Sequence, residues 1–345
     1  MKILSLFDWM ACWYEALQRA WIKIDTYYAS EIDKYAIQIA TKNHPDIIEI
    51  WDVCEIKWED YQDIDLLIWG SPCQWFSVAG KMLNFNDPRS KLFFEYVRLL
   101  RQIQPKYFLL ENVKMKKEWQ DIISRELWVE PIEINSSLVS AQNRRRLYRT
   151  NIPGITQPKD KWILLKDILE DEVDEKYYLT DDQLQRISNY WKWRNDRAIE
   201  HINSEWDEKI WTITSHCWTM SNTMKLISVR GGELRIKQAT KQWYIVANDG
   251  DGISLAYPNS TTRRGRVIHQ KSNTITTEWE SYAYSDSIIR KLTPIECERL
   301  QTLPDNYTQW VSDTQRYKML GNGWTVDVIS HIFSFIPKDQ WHTEN

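Results

Sequence analysis

Glycine is scarce in this chain: 10 of 345 residues, or 2.9%, against a usual share of about 7%. Turns and close backbone approaches that call for a residue without a Cβ must therefore be filled by something else. Tryptophan is in matching excess, at 20 residues. Cysteine is also sparse. Five residues, an odd number at irregular spacing, argue against a disulfide framework and for a reducing compartment. There is no Cys-x-x-Cys pair and no His-rich cluster of the kind that holds zinc. No apolar run approaches the roughly 20 residues of a membrane span. The apolar start is interrupted by Asp8 and Glu15, which argues against a signal peptide. A basic excess is missing as well: 44 Lys and Arg stand against 48 Asp and Glu, a formal net charge of -4. Any nucleic-acid partner would have to be held by a local patch.

What is present describes a soluble globular protein, 43% apolar and 27% charged, long enough for a full core and two domains. Residues 2–7 read as an apolar strand, 8–13 as a short loop and 14–20 as a helix, the opening of a nucleotide-binding unit. Such a loop wants glycine at the turn and at the approach to the ligand, yet positions 9 and 13 are Trp9 and Trp13. A second strand, 26–30, ends in Glu31. An acid there accepts from ribose hydroxyls or, equally well on these grounds, sits at the start of the helix that follows to about Asn43. Residues 47–50 read as strand and lead into Trp51-Asp52-Val53.

The run 63–68 predicts a buried strand that delivers Trp69-Gly70-Ser71-Pro72-Cys73-Gln74-Trp75 as a tight loop, since Pro72 removes a ladder donor. Cys73 is then either a small buried hydrophobe or a group presented at the carboxyl edge of a sheet, where open α/β folds build their sites. An amphipathic helix, 91–104, places Leu92, Tyr96, Leu99, Leu100 and Ile103 on one face. The strand 107–110 ends in Glu111-Asn112, so a carboxylate tips one strand and a cysteine its neighbour, a plausible acid–nucleophile pair. A helix at 119–127 and a strand at 130–135 follow. This alternation predicts a doubly wound, mostly parallel sheet.

The stretch Gln142-Asn143-Arg144-Arg145-Arg146 is either a solvated basic face or, if extended, a row of polar groups Gln142, Arg144 and Arg146 aimed to one side. From residue 153 to 289 the pattern turns polar and β-rich, punctuated by Gly231-Gly232 and Asn248 to Gly252, with local basic charge from Arg230, Arg235, Lys237, Arg263, Arg264, Arg266 and Lys271. The expected division is a catalytic domain over 1–152, an inserted β-rich recognition domain with its linker over 153–289, a return to the first domain over 290–337, and a tail over 338–345. The return begins with a proline-initiated helix at 292–301, and Gly321-Asn322-Gly323 precedes a final apolar helix.

Five features in a fixed order resemble the DNA cytosine-5 methyltransferases: Pro72-Cys73-Gln74, Glu111-Asn112-Val113, Gln142-x-Arg144-x-Arg146, the segment 290–301, and Gly321-Asn322. The resemblance runs from Lys2 to about Phe335. It implies a Rossmann-like methyltransferase sheet, S-adenosylmethionine as cofactor and double-stranded DNA as partner. Phe7 would pack on the cofactor, Glu31 would hold its ribose and Asp52 its adenine amine, with Pro72, Leu92 and Asn322 lining the rest. Cys73 would attack C6 of a cytosine flipped out of the duplex, Glu111 would act at N3, and Arg144 and Arg146 would support base and loop. The arginines would also supply the positive potential that a thiolate needs. The class admits a cognate restriction endonuclease as a further partner, and a monomer in the cytoplasm, with no metal and no membrane, is expected. An RNA cytosine-5 methyltransferase, a silent DNA-binding relative and a nicotinamide-dependent oxidoreductase are the competing readings. The last would not require Cys73, Glu111 and the arginines together.

The tryptophans fall into two groups. Trp9, Trp13, Trp51, Trp69 and Trp75 stand where the resembled family has glycine or a turn calls for it. Trp21, Trp58, Trp128, Trp162, Trp191, Trp193, Trp206, Trp211, Trp218, Trp243, Trp279 and Trp310 mostly stand in loops or at element ends. Reading these seventeen as glycine brings the total to 27, or 7.8% of the chain, close to the usual share. Only Trp119, Trp324 and Trp341 are left as ordinary tryptophans. The expectation is a gene in which UGA encodes glycine; an artificial glycine-to-tryptophan replacement is the alternative, and the survival of Gly70, Gly80 and Gly321 fits the codon reading. A left-handed backbone costs a bulky residue roughly 1–3 kcal/mol.

Overall fold

In the computed structural model the described residues are 1–70, 88–178, 227–230, 233–242, 244–254, 260, 262–276, 281–285 and 288–337. Pro72, Cys73, Trp75 and the tail 338–345 lie outside them.

Leu66–Gly70 and Tyr107–Asn112 are buried at every position, as central strands covered on both faces must be. With Lys2–Leu6 (β1), Thr26–Ser30 (β2), Ile48–Glu49 (β3), Ile132–Asn135 (β6) and Arg145–Thr150 (β7), they form one sheet. Taking the two central strands as β4 and β5, its order is β3-β2-β1-β4-β5-β7-β6. Strands β1 to β5 run parallel, and β7 is antiparallel to both its neighbours. The order reverses between β1 and β4, the switch point at which such sheets bind ligands.

The helices Cys12–Arg19 (α1), Lys34–Asn43 (α2), Pro88–Ile103 (α3) and Lys117–Leu127 (α4) connect these strands. Leu4, Leu6, Leu67, Trp69, Phe93, Tyr96, Leu99, Leu110 and Ile123 belong to one hydrophobic core. Three expectations need correction. The strand expected at 47–50 is only two residues long, because it pairs with β2 alone and Trp51 turns left-handed at its end. Gln142 and Arg144 do not lie on a strand with Arg146. The Asn135 side chain accepts from the Arg144 N–H and bends the chain before β7 begins at Arg145. Gly321 and Asn322, expected only to precede a final helix, themselves form the last turn of another helix, Asp313–Asn322.

The chain divides into two units. One comprises Met1–Val139, Arg144–Lys161 and Gln301–Asn345, the other Ser140–Asn143 and Trp162–Leu300. In the second, Ile227–Arg230 (β8), Glu233–Lys237 (β9) and Tyr244–Ala247 (β10) form an antiparallel sheet. Asp251–Ser254 (β11), Val267–Ile268 (β12), Ser281–Ser285 (β13) and Ile288–Lys291 (β14) form another, in the order β12-β11-β13-β14. Leu234, Ile236, Ala247, Ile253, Val267 and Tyr282 are their shared core. Helix α5, Pro294–Leu300, starts on its proline as expected. Its first turn is closed reciprocally: Thr293 Oγ1 accepts from the Glu296 N–H, the Glu296 carboxylate accepts from the Thr293 N–H, and Arg290 grips the same carboxylate at 2.5 and 2.8 Å. In the first unit, Asp313–Asn322 becomes α6 and Val326–Phe333 becomes α7, which packs on α1. No helix among the described residues is long and apolar enough to cross a membrane.

Candidate active site

The apolar run of β5 ends by carrying Glu111 into the interior, only 2% exposed. Register sets its neighbours. Gly70, the last residue of β4, pairs with Glu111, so β4 ends beside this residue, two and three positions before Pro72 and Cys73. On the other side, Arg146 of β7 brings its Nε to 2.8 Å from Glu111 Oε1. The N–H does not point along that contact, so the pair is ionic and neither atom gains a hydrogen bond. The second oxygen, Oε2, accepts from the indole N–H of Trp324 at 3.1 Å. That indole lies so close over β4 that a Cβ on Gly70 would come within 1.6 Å of it. Trp324 is thus a site residue that the sequence reading left among ordinary tryptophans. No local pattern links it to Glu111, 213 positions away.

The arginine stretch is not a solvated face. Arg144, Arg146 and Arg149 are buried and Arg145 is exposed. The Arg144 guanidinium donates to the carbonyls of Gly321 (3.4 and 3.5 Å) and Gly323 (2.7 Å). Gln301 Nε2 donates to Leu320 O and Gly323 O. These side chains satisfy the orphan carbonyls at the end of α6, where a cation also meets the negative end of the helix dipole. Asn322, half-buried, lies in that last turn. Arg149 reaches Ser124 Oγ, Asn112 Oδ1 and Gln120 O, and burial lowers its pKa to about 10.

Acids gather at the carboxyl ends of β1, β2 and β3. Glu31 is buried, and its carboxylate accepts from the backbone N–H groups of Trp9, Ile32 and Asp33 at 2.8–3.0 Å. Burial raises its pKa. Asp52 is exposed and caps the Cys54 N–H at 2.8 Å. Phe7, half-buried with a φ of 58°, faces Trp69 at 6.1 Å. Leu92 is half-buried against the core under β4. Two further acids were not singled out from the sequence. Asp8 is wholly buried; its Oδ1 accepts from Ser5 and Tyr27 hydroxyls at 2.5 Å, and its Oδ2 has no partner. Both Glu49 oxygens are also unpartnered, and burial raises its pKa to about 8. Acceptors outnumber donors at this edge, which fits a ligand that brings hydroxyl and amine donors of its own.

Burial pushes the Asp8 pKa from 3.8 to about 7. Between those values the folded state holds a proton that the unfolded state has lost, so stability falls as pH rises from about 4 to about 7. A shift of that size corresponds to a loss on the order of 4 kcal/mol. In Asp8→Asn this group no longer titrates. Urea unfolding at pH 4.5 and pH 8 should therefore show a smaller difference than in the parent, and an unchanged difference would refute the assignment.

The sequence pattern of the family described as "C-5 cytosine-specific DNA methylase" matches residues 1–126 and 134–338. The chain belongs to that family. This cytosine-5 DNA methyltransferase acts on DNA and takes its methyl group from S-adenosylmethionine. It is 30% identical to the type II methyltransferase M1.ScrFI of Lactococcus lactis subsp. cremoris, over 90% of this chain and 71% of that one. It is 27% identical to the orphan methyltransferase M.SPRI of Bacillus phage SPR, over 96% of both. In fold it is similar to a putative DNA modification methyltransferase of an Escherichia coli prophage (TM-score 0.62, 19% identity, 97% and 98% covered). A variant of Spodoptera frugiperda DNMT2 is similar too (TM-score 0.59, 19% identity, 97% and 98% covered). The doubly wound, mostly parallel sheet expected from the alternating strands and helices is observed, and so is the Rossmann-like methyltransferase fold that the resemblance implies.

Proposed function

We propose that Cys73 is the nucleophile of this methyltransferase and Glu111 its partner at the base. The observation behind this reading is the buried Glu111, clamped by Arg146 and paired in register with Gly70, which precedes Pro72 and Cys73 by two and three positions. Neither face of a stacked cytosine is open to attack, so the base is flipped out. The Cys73 thiolate adds to C6 while Glu111 places a proton at N3 and neutralises the charge that develops there. S-adenosylmethionine supplies an electrophilic methyl group for C5. Loss of the C5 proton and elimination of Cys73 then restore the ring. Arg146 keeps Glu111 in place, and Arg144 supports the base and loop through the end of α6. Phe7, Glu31, Asp52, Pro72, Leu92 and Asn322 hold the cofactor, its ribose hydroxyls on Glu31 and its adenine amine on Asp52. The catalytic domain spans 1–152 and 290–337. The enzyme works as a cytoplasmic monomer. Its type II relatives suggest a cognate restriction endonuclease as a companion, and its orphan relatives a solitary role.

Target choice lies in residues 178–289, where the second unit carries two small antiparallel sheets and basic side chains. Direct readout depends on which side chains reach the groove edges. Replacing this segment with that of a relative of different specificity should transfer the methylated sequence, as read by bisulfite sequencing. An unchanged target would reject the assignment.

A further inference from the structure

Among the described residues, eleven non-glycine positions hold a left-handed φ, and five of them are tryptophan: Trp9 (54°), Trp21 (58°), Trp51 (60°), Trp128 (59°) and Trp162 (55°). With 20 tryptophans in 345 residues, chance would place fewer than one among eleven. Local geometry asks for glycine at the same places. Helix α1 ends in a Schellman motif: Trp21 N–H donates to Gln18 O at 3.0 Å and Ile22 N–H to Leu17 O at 3.1 Å. Trp21 therefore occupies the C′ position that glycine dominates. Helix α4 ends on left-handed Trp128. The side chains gain little there. Trp21 and Trp128 are 89% and 88% exposed, and Trp51 and Trp162 are exposed as well.

Trp13 and Trp69 show the opposite fault. Both are wholly buried, and neither indole N–H has an acceptor, which natural cores avoid. Trp119, by contrast, lies within α4 against the core, and the buried Trp324 N–H is satisfied by Glu111. Trp58 and Trp310 carry neither sign of misplacement. The seven misplaced tryptophans all belong to the seventeen singled out from the sequence, and the two well-placed ones belong to the three ordinary ones.

We propose that glycine is the native residue at these seven positions, and by the same codon at the other ten, because the source organism decodes UGA as glycine. The loop from Asp8 to residue 13 then regains the freedom that its left-handed positions require, and residues 13 and 69 no longer fill the interior with indole. The gene should read UGA at codons 9, 13, 21, 51, 69, 128 and 162 and UGG at 119, 324 and 341. Peptides of the native protein should carry glycine at the seven. UGG at these codons, or tryptophan in those peptides, overturns the proposal. A recombinant full-length chain with glycine at all seventeen positions should melt higher and bind S-adenosylhomocysteine more tightly than the chain as written. If it melts no higher, the steric argument falls.

A second inference rests on a different observation and on the role proposed for Glu111. The two Glu111 oxygens are held by unlike groups, Oε1 by the Arg146 charge and Oε2 by the Trp324 N–H, and Trp324 can sit there only because Gly70 has no Cβ. The geometry points to Trp324 as a positioning residue that fixes the Glu111 carboxylate by hydrogen bonding to one of its oxygens. In the glycine-restored enzyme, Trp324→Phe keeps most of the apolar surface and loses the donor. Its kcat should fall roughly tenfold or more with little change in KM for DNA. The Glu111 carboxyl 13C resonance, read at a single pH without turnover, should shift when the indole donor is lost. An unmoved resonance overturns the inference. A moved resonance in a parent that methylates no DNA would uphold the placement and refute the function proposed for Glu111.

Discussion

Cys73→Ser should lower methyl transfer to duplex DNA by on the order of 10³-fold or more and leave the melting temperature unchanged. A serine hydroxyl is far less acidic than a thiol, so at neutral pH addition to C6 loses its anionic nucleophile. Glu111→Gln should cost roughly 10²–10⁴-fold, the usual contribution of a positioned acid. Labelled S-adenosylmethionine and mixed-sequence duplex DNA measure both. A duplex containing 5-fluorocytosine separates them further, because it should trap the parent covalently and leave Cys73→Ser free. Equal transfer by parent and serine variant, or label recovered on adenine, would remove Cys73 from the reaction.

Arg146→Leu should have the largest effect on stability. Glu111 is 2% and Arg146 9% exposed, and their ions lie 2.8 Å apart. Removing the cation leaves a carboxylate buried at the end of β5 with only the Trp324 N–H, a situation that costs roughly 3–5 kcal/mol at neutral pH. Denaturant unfolding measures the loss. Arg146→Lys, which keeps a cation beside the carboxylate, should recover much of it. An equal loss in both variants would mean that the loss is one of packing rather than of charge.

The sequence exposed what is local. An acid directly after an apolar run marks the tip of a strand, and Glu31 and Glu111 both stand there. A proline at the first turn marks the start of α5. What stayed hidden is set by contacts across the chain. Arg144 finds its carbonyls 177 and 179 positions away, and no periodicity announces that. Helix α6 was missed because its last turn contains Gly321 and Asn322, residues that normally mark a stop, here stabilised by Arg144 and Gln301 from outside. Asp8 is the one charged residue of the loop 8–13, and only the hydroxyls of Ser5 and Tyr27 folding over it show that it is buried.

The left-handed tryptophans matter beyond this enzyme. Torsion angles depend on sterics alone and are indifferent to the translation table used to write a protein. When one bulky residue type collects at helix C′ positions and other left-handed sites, the polypeptide itself shows that a codon has been misassigned, with no tRNA or release factor in hand. Every other open reading frame from the same genome can be checked in this way. If the recoding is real, its inferred tryptophans will again include a set in left-handed turns or stranded in cores, beside others that carry neither fault. Proteins expressed elsewhere from the uncorrected genes will be truncated or misfolded for reasons unrelated to their own chemistry.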